Sequence, residues 1–287
     1  MRSFRLILLF LRNSLQVEME YRANLLASLL TALFSGALSI LTLLSIFGRT
    51  AEIGGWDLPR MVALVGVSMI IEGLIDCWLY PSLNAITEYV RQGELDLLLI
   101  RPINSQLMVS FRNIRIWFAG NVVLGILAIL YGMQAQHVLT LGHLALCFLL
   151  IAAGVAILYS IWLAAATLSF WFTKVGEVSI IAYTLMETGR FPVSAYPAWA
   201  RFALTYVFPI AFITNVPAEA AMGRLSWPGA ALGLCAAAIA LAFGNFFWRS
   251  ASHATAAPAA EAHSRRKPAT AVISGRRPRR PMDVSMK

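Results

Sequence analysis

Few residues of this 287-residue chain are of types that could do chemistry, and they fall into three groups. Glu72 and Asp76 sit four apart inside a long apolar run, so on a helix they share a face. Carboxylates at such a depth are costly unless paired or wet. They suit a gate or cation-attracting path, or a salt bridge between helices near the inner surface, with Arg112 and Arg115 as basic partners. The bridge is the better reading, because Asp76 lies near the edge of its run. The second group is the charged stretch ITEYVRQGELDLLLIRP, Ile86 to Pro102, with Glu88, Tyr89, Arg91, Gly93, Glu94, Asp96, Arg101 and Pro102. On a helix Ile86, Tyr89 and Val90 share one face, and Glu88, Arg91 and Gln92 the other. Gly93 permits a turn, and Pro102 ends the helix beyond that turn. Such a segment is either a solvated loop or a docking surface. The third group, Glu187, Arg190, Phe191, Pro192, Tyr196, Pro209 and Pro217, interrupts a later apolar region and suits a gate or helix caps.

Catalysis finds no support. There is no G-x-x-x-x-G-K-[ST] and no Gly-Lys pair, so no P-loop for ATP. G-x-S-x-G, H-E-x-x-H and paired-cysteine signatures are also missing. Cys77, Cys147 and Cys235 lie far apart in apolar segments and read as small core residues. The four histidines show no metal-ligand spacing. The expectation is no catalytic residue, no metal and no cofactor in this chain.

The elements that must position these groups are membrane helices. The chain is 59% hydrophobic and 13% charged, with mean hydropathy +0.71; soluble domains carry about 25% charged residues. Its apolar runs are too long and continuous for barrel strands. Residues 1–22 place Phe4, Ile7, Leu8 and Leu11 opposite Arg2, Arg5, Arg12 and Glu20, the pattern of an amphipathic interfacial helix. Six spans are expected, over 24–47, 59–80, 108–132, 138–171, from 178, and over 227–248, in a 23–249 domain with the charged segment (82–106) between the second and third. The net charge of +9 comes mostly from residues 249–287, which hold 9 Lys/Arg and 2 Asp/Glu. That composition predicts a disordered basic tail over 250–287 rather than a nucleic-acid surface. With six spans and a cytoplasmic amino terminus, 18 Lys/Arg lie inside and 5 outside. A seventh span through 195–218 would carry the tail outside, against the positive-inside tendency. Residues 189–226 are therefore expected to form a re-entrant outer hairpin, with both termini cytoplasmic. Irregular backbone at that depth must be covered by protein or line a cavity.

Gly93-Glu-Leu-Asp-Leu-Leu-Leu-Ile-Arg-Pro102 resembles the G-x-L-D-x-L-L-x-R-P signature of permease subunits of ATP-binding-cassette exporters, in the type-2 export superfamily. The later Arg190-Phe-Pro-Val-Ser-Ala-Tyr-Pro197, continuing to Phe208-Pro-Ile-Ala and Val216-Pro-Ala-Glu-Ala, is similar to that family's segment before the last span. The resemblance covers Tyr21 to Trp248. It implies an efflux half-transporter of a bacterial plasma membrane that pairs with a second permease and docks a separate ATP-binding subunit, where ATP and magnesium would sit. It also implies that Ile86 to Pro102 contains the coupling helix. The rival reading is a proton-coupled secondary transporter using Glu72 and Asp76; no internal inverted repeat is evident in its favour.

Overall fold

The computed structural model describes residues 22–92, 105–111, 113–168, 184 and 186–265. The expected interfacial helix, the motif residues Gly93, Glu94, Asp96, Arg101 and Pro102, and Arg112 lie outside the described residues; Glu88 and Arg91 are described in their backbone only. All regular structure in the described part is helical, apart from an isolated bridge between Ile53 and Trp56.

The first span, α1 (Arg22–Phe47), lies at the edge of the bundle: only 17% of its apolar window is buried, against 72% for the central span at Leu58–Ile86. That central span starts at Asp57, whose carboxylate accepts the Arg60 N–H at 3.2 Å, with Pro59 in the first turn. It is α2 (Leu58–Leu74), which passes through a π turn (Ile75–Leu79) into α3 (Tyr80–Gln92). The sequence predicted a stop at Tyr80. The helix instead continues to Gln92, roughly 50 Å of rod at 1.5 Å per residue. Pro81 has no N–H to give the carbonyl of Cys77, four residues back. That carbonyl accepts the backbone N–H of Arg115 at 2.7 Å, so the proline leaves no orphan.

The expected third span over 108–132 is also corrected. It divides into α4 (Ser105–Phe111) and α5 (Ala119–Ala135), with a short 3-10 turn at Ile116–Phe118 leading into α5. The backbone between them is irregular because it bonds the π turn (Cys77), α3 (Ser82) and α1 (Ser28) instead of itself. Helices α2 and α5 approach through glycines: a Cβ on Gly66 would lie 2.7 Å from the Gly125 carbonyl oxygen. Gly73 and Gly132 continue this seam, each seven residues on from its predecessor.

Helix α6 (Leu141–Leu168) crosses the bundle. Next comes α7 (Ala198–Phe202), followed by a π turn (Ala203–Val207). After a bend of 78° at Phe208–Pro209, a second π turn (Ala211–Asn215) leads into α8 (Val216–Ala221). The last helix, α9, runs from Trp227 to Arg265. The change of composition after Arg249 pointed to the end of order there. The helix carries on because the run is rich in alanine, the strongest helix former.

Four of these helices are long and apolar enough to cross a membrane, five if the bent pair counts as one, and α5 is a shorter apolar helix of 17 residues. The protein is an all-helical integral membrane protein. At one end of the bundle Gln136 bonds Asp57 at 2.6 Å, while Ser194 and Arg224 bond the Gly54–Gly55 turn. The opposite end holds Trp78, Ser82, Ser110, Tyr159 and Asn245. Cys235, expected in the core, is exposed; Cys147 is buried.

Candidate coupling and gating site

Two polar clusters lie along the central rod. The lower one surrounds the π turn. Trp78 donates its indole N–H to the Ser110 carbonyl at 2.7 Å, and the Ser82 hydroxyl donates to the Asn113 carbonyl at 2.6 Å. Together with the Arg115 N–H to Cys77 bond, they fasten the arm returning from the charged segment onto the rod. The Trp78 ring stacks between Phe111 (5.0 Å) and Tyr159 of α6 (5.9 Å). The Tyr159 hydroxyl meets Ser110 Oγ at 2.8 Å. Gln106 donates to Tyr159 at 3.2 Å and to Asn245 of α9 at 2.5 Å. One α4 turn thereby grips three other helices. Further along the rod, Ile86 is fully buried and Tyr89 half-buried, as the expected apolar face requires.

The upper cluster is an ion pair. Arg190 donates Nε–H to one Glu72 oxygen at 2.8 Å and Nη2–H to the other at 2.7 Å. This bidentate geometry is the strongest form of such a contact. Arg112 and Arg115 were the partners expected for Glu72, and the partner found is Arg190. Glu72 therefore ties the rod to the segment expected to form the outer gate. The backbone of that segment is irregular, and neighbouring groups satisfy it. Gly189 offers its carbonyl to the Ser68 hydroxyl at 3.4 Å, and a Cβ there would crowd Ile210 and Thr214 at 3.0 Å. The Val193 N–H donates to the buried Asn215 side-chain oxygen at 2.8 Å. The Tyr196 hydroxyl donates to the Thr188 carbonyl at 3.0 Å, and burial holds its phenol above its ordinary pKa. Phe191 is half-buried and Pro192 buried. Pro209 sits in the bend, and Pro217 is buried in the first turn of α8. Glu187 is exposed, and its charge adds to that of Glu72 around Arg190.

Asp76 and Arg115 face the same space. They line one cavity of about 640 Å³ beside α1, with Asn24, Ser28, Thr31 and Asn121. Among the described residues no cluster of His, Cys, Asp and Glu could hold a metal ion.

Sequence reasoning found both ends of the Glu72–Arg190 contact but not the contact itself. It missed Trp78, Ser110, Tyr159, Asn215 and Asn245. The available signal was chemical: a polar group inside an apolar run must find a partner, and each of these does.

The family model described as ABC-2 family transporter protein matches residues 33–255, and so covers the rod, both clusters and the bent pair. No curated protein matches the chain. The chain belongs to the ABC-2 family of transporters, as a membrane-spanning permease.

Proposed function

We propose that this permease exports its substrate using work delivered by a separate ATP-binding subunit, and that the rod from Leu58 to Gln92 carries that work. The observation that supports this best is continuity. One helix joins the Glu72–Arg190 pair to the base of the charged segment, with no break between them. The ATP-binding subunit docks on Ile86 to Pro102, with Glu88, Tyr89, Arg91, Gly93, Glu94, Asp96, Arg101 and Pro102 as the contact set. Pressure there moves α3 and α4 as one body, because Trp78, Ser82 and Ser110 clamp them together. The π turn, a geometry frequent at functional sites, is where the rod yields. Movement of Glu72 then draws Arg190 and the segment 189–197.

The bent pair α7–α8 acts as a re-entrant outer gate. Both its flanks meet the same turn: Ser194 Oγ donates to the Gly54 carbonyl at 2.7 Å, and Arg224 to the Gly55 carbonyl at 3.0 Å. The Gly54–Gly55 end faces outward, which keeps the amino terminus and the basic tail in the cytoplasm. The cytoplasmic charged segment and the lack of a P-loop fit the same arrangement. A second permease completes the path. Proton carriage by Glu72 is disfavoured, since Arg190 occupies both of its carboxylate oxygens.

The test is co-purification with the cognate ATP-binding subunit. The combined Arg91→Glu, Glu94→Lys and Asp96→Lys variant is expected to lose the complex and its stimulated ATP hydrolysis while still inserting into the membrane. Retention of both would sink the docking assignment.

A further inference from the structure

The first span carries a pattern that the transmission path does not use. Thr31, Ser35, Ser39 and Thr42 recur at helical spacing and form one stripe down α1. Each hydroxyl donates to a backbone carbonyl one turn earlier, at 2.8 to 3.1 Å. That habit is ordinary for Ser and Thr in helices. The surroundings of the upper three are less ordinary. Ser35, Ser39 and Thr42 share a cavity of about 240 Å³ with Arg190 and four apolar residues, Leu38 among them. The cavity wall holds one guanidinium and three hydroxyls, which accept a hydrogen bond as they stand and donate one only by turning from their backbone carbonyls. Arg190 gives two of its five N–H groups to Glu72, which leaves three. Glu72 itself does not line the cavity. The N–H groups left on Arg190 call for a ligand with hydrogen-bond acceptors, which need not break the ion pair to use them.

Size and surroundings narrow the ligand further. The volume is below the roughly 300 to 1,000 Å³ usual for a whole drug-sized ligand, so it suits a head group. The next face of α1 carries Phe34, Leu38 and Leu41, which are 69%, 48% and 59% exposed. In a membrane protein this face meets lipid tails. A pocket with a polar side therefore opens beside an apolar strip on a single helix, with Leu38 common to both.

We propose that this cavity binds the acidic head group, a phosphate or carboxylate, of an amphiphile whose tail lies along Phe34, Leu38 and Leu41. Such amphiphiles are the transported class; this second statement rests on the export reading above. Charge pairing with Glu72 keeps the guanidinium from holding every passing anion tightly, so the hydroxyls and the tail supply the selectivity.

Binding is measured on the full chain in dodecyl maltoside, with the fluorescent carboxylate 11-dansylaminoundecanoate as probe. Dodecyl phosphate is expected to displace it, and dodecyltrimethylammonium to do so about tenfold less well, the worth of one or two hydrogen bonds. Ser39→Leu fills the cavity without touching the ion pair. It should weaken probe binding about tenfold, with elution and melting unchanged. Arg190→Gln should weaken it further. Equal displacement by both competitors, or unchanged affinity in Ser39→Leu, overturns the site. Disulfide cross-linking of Ser39→Cys chains to each other, with no protection by the probe, also overturns it and makes this face a permease–permease contact. In the assembled complex dodecyl phosphate should stimulate ATP hydrolysis. Binding without stimulation overturns the substrate statement alone. An ATP-binding subunit that never associates overturns the export reading and leaves the head-group site standing.

Discussion

Arg190 has two neighbours, a carboxylate on the rod and a partly polar cavity beside α1. Removing one partner of a buried pair leaves a charge uncompensated, which costs more than the pair itself is worth. Here the side chains are 36% and 18% exposed, so the penalty must be discounted for screening. Glu72→Gln and Arg190→Gln are each expected to cost roughly 1–3 kcal/mol. The double replacement should recover most of that loss, because no charge is then stranded. Thermal unfolding of the three variants, read as a double-mutant cycle, tests it. Additive losses would mean that the two side chains act independently. Both residues could be singled out in the sequence as charges in apolar surroundings. Their partnership could not, since 118 residues separate them and Arg115 was an equally sensible choice.

At the scale of elements, the fold turns on a proline that does not stop its helix. The second span was expected to stop at Tyr80, one residue before Pro81, and a proline inside a helix usually breaks it. The structure absorbs it with a π turn and a donor from another segment, the Arg115 N–H. That donor is invisible to any local pattern, which is why both the second and third spans differ from expectation at the ends that face the charged segment. The broad apolar runs were legible, since length and hydropathy alone define them. Pro81→Ala restores a backbone donor that competes for the Cys77 carbonyl. The Arg115 amide should then exchange its hydrogen about tenfold faster, the cost of one weakened hydrogen bond. Unchanged protection would show that the proline is a passive passenger. The glycine seam gives a second check. Gly125→Leu drives a side chain into the α2 backbone near Gly66 and Ile70. Overpacking of this kind costs at least 1–3 kcal/mol, roughly, and should appear as a lowered melting temperature or a failure to assemble.

For the whole molecule, the positive charges and the hydrogen bonds supply independent constraints. The proposed orientation, argued from the count of basic residues, puts the charged segment and the tail on the cytoplasmic side. The hydrogen bonds bring Gly54, Gln136, Ser194 and Arg224 to one end, and Ser82, Gln106 and Asn245 to the other. The two groupings agree. In a background with the three cysteines replaced, Thr50→Cys is expected to react with a membrane-impermeant maleimide on intact cells. Ser264→Cys should react only after permeabilisation. The reverse pattern would invert the topology and remove the charged segment from the reach of ATP.

The central claim is that force passes from the charged segment through one rod and one ion pair to the hairpin. Trp199 is 76% exposed on α7 and takes no part in the pair, so an environment-sensitive fluorophore at Trp199→Cys reports on the hairpin. With the cognate ATP-binding subunit bound, adding ATP and vanadate, which traps ADP and vanadate in the subunit's site after hydrolysis, should change the fluorophore's emission. In the Glu72→Gln/Arg190→Gln background the subunit should still bind and hydrolyse ATP, but the change in emission should vanish. The same change persisting without the pair would contradict the account.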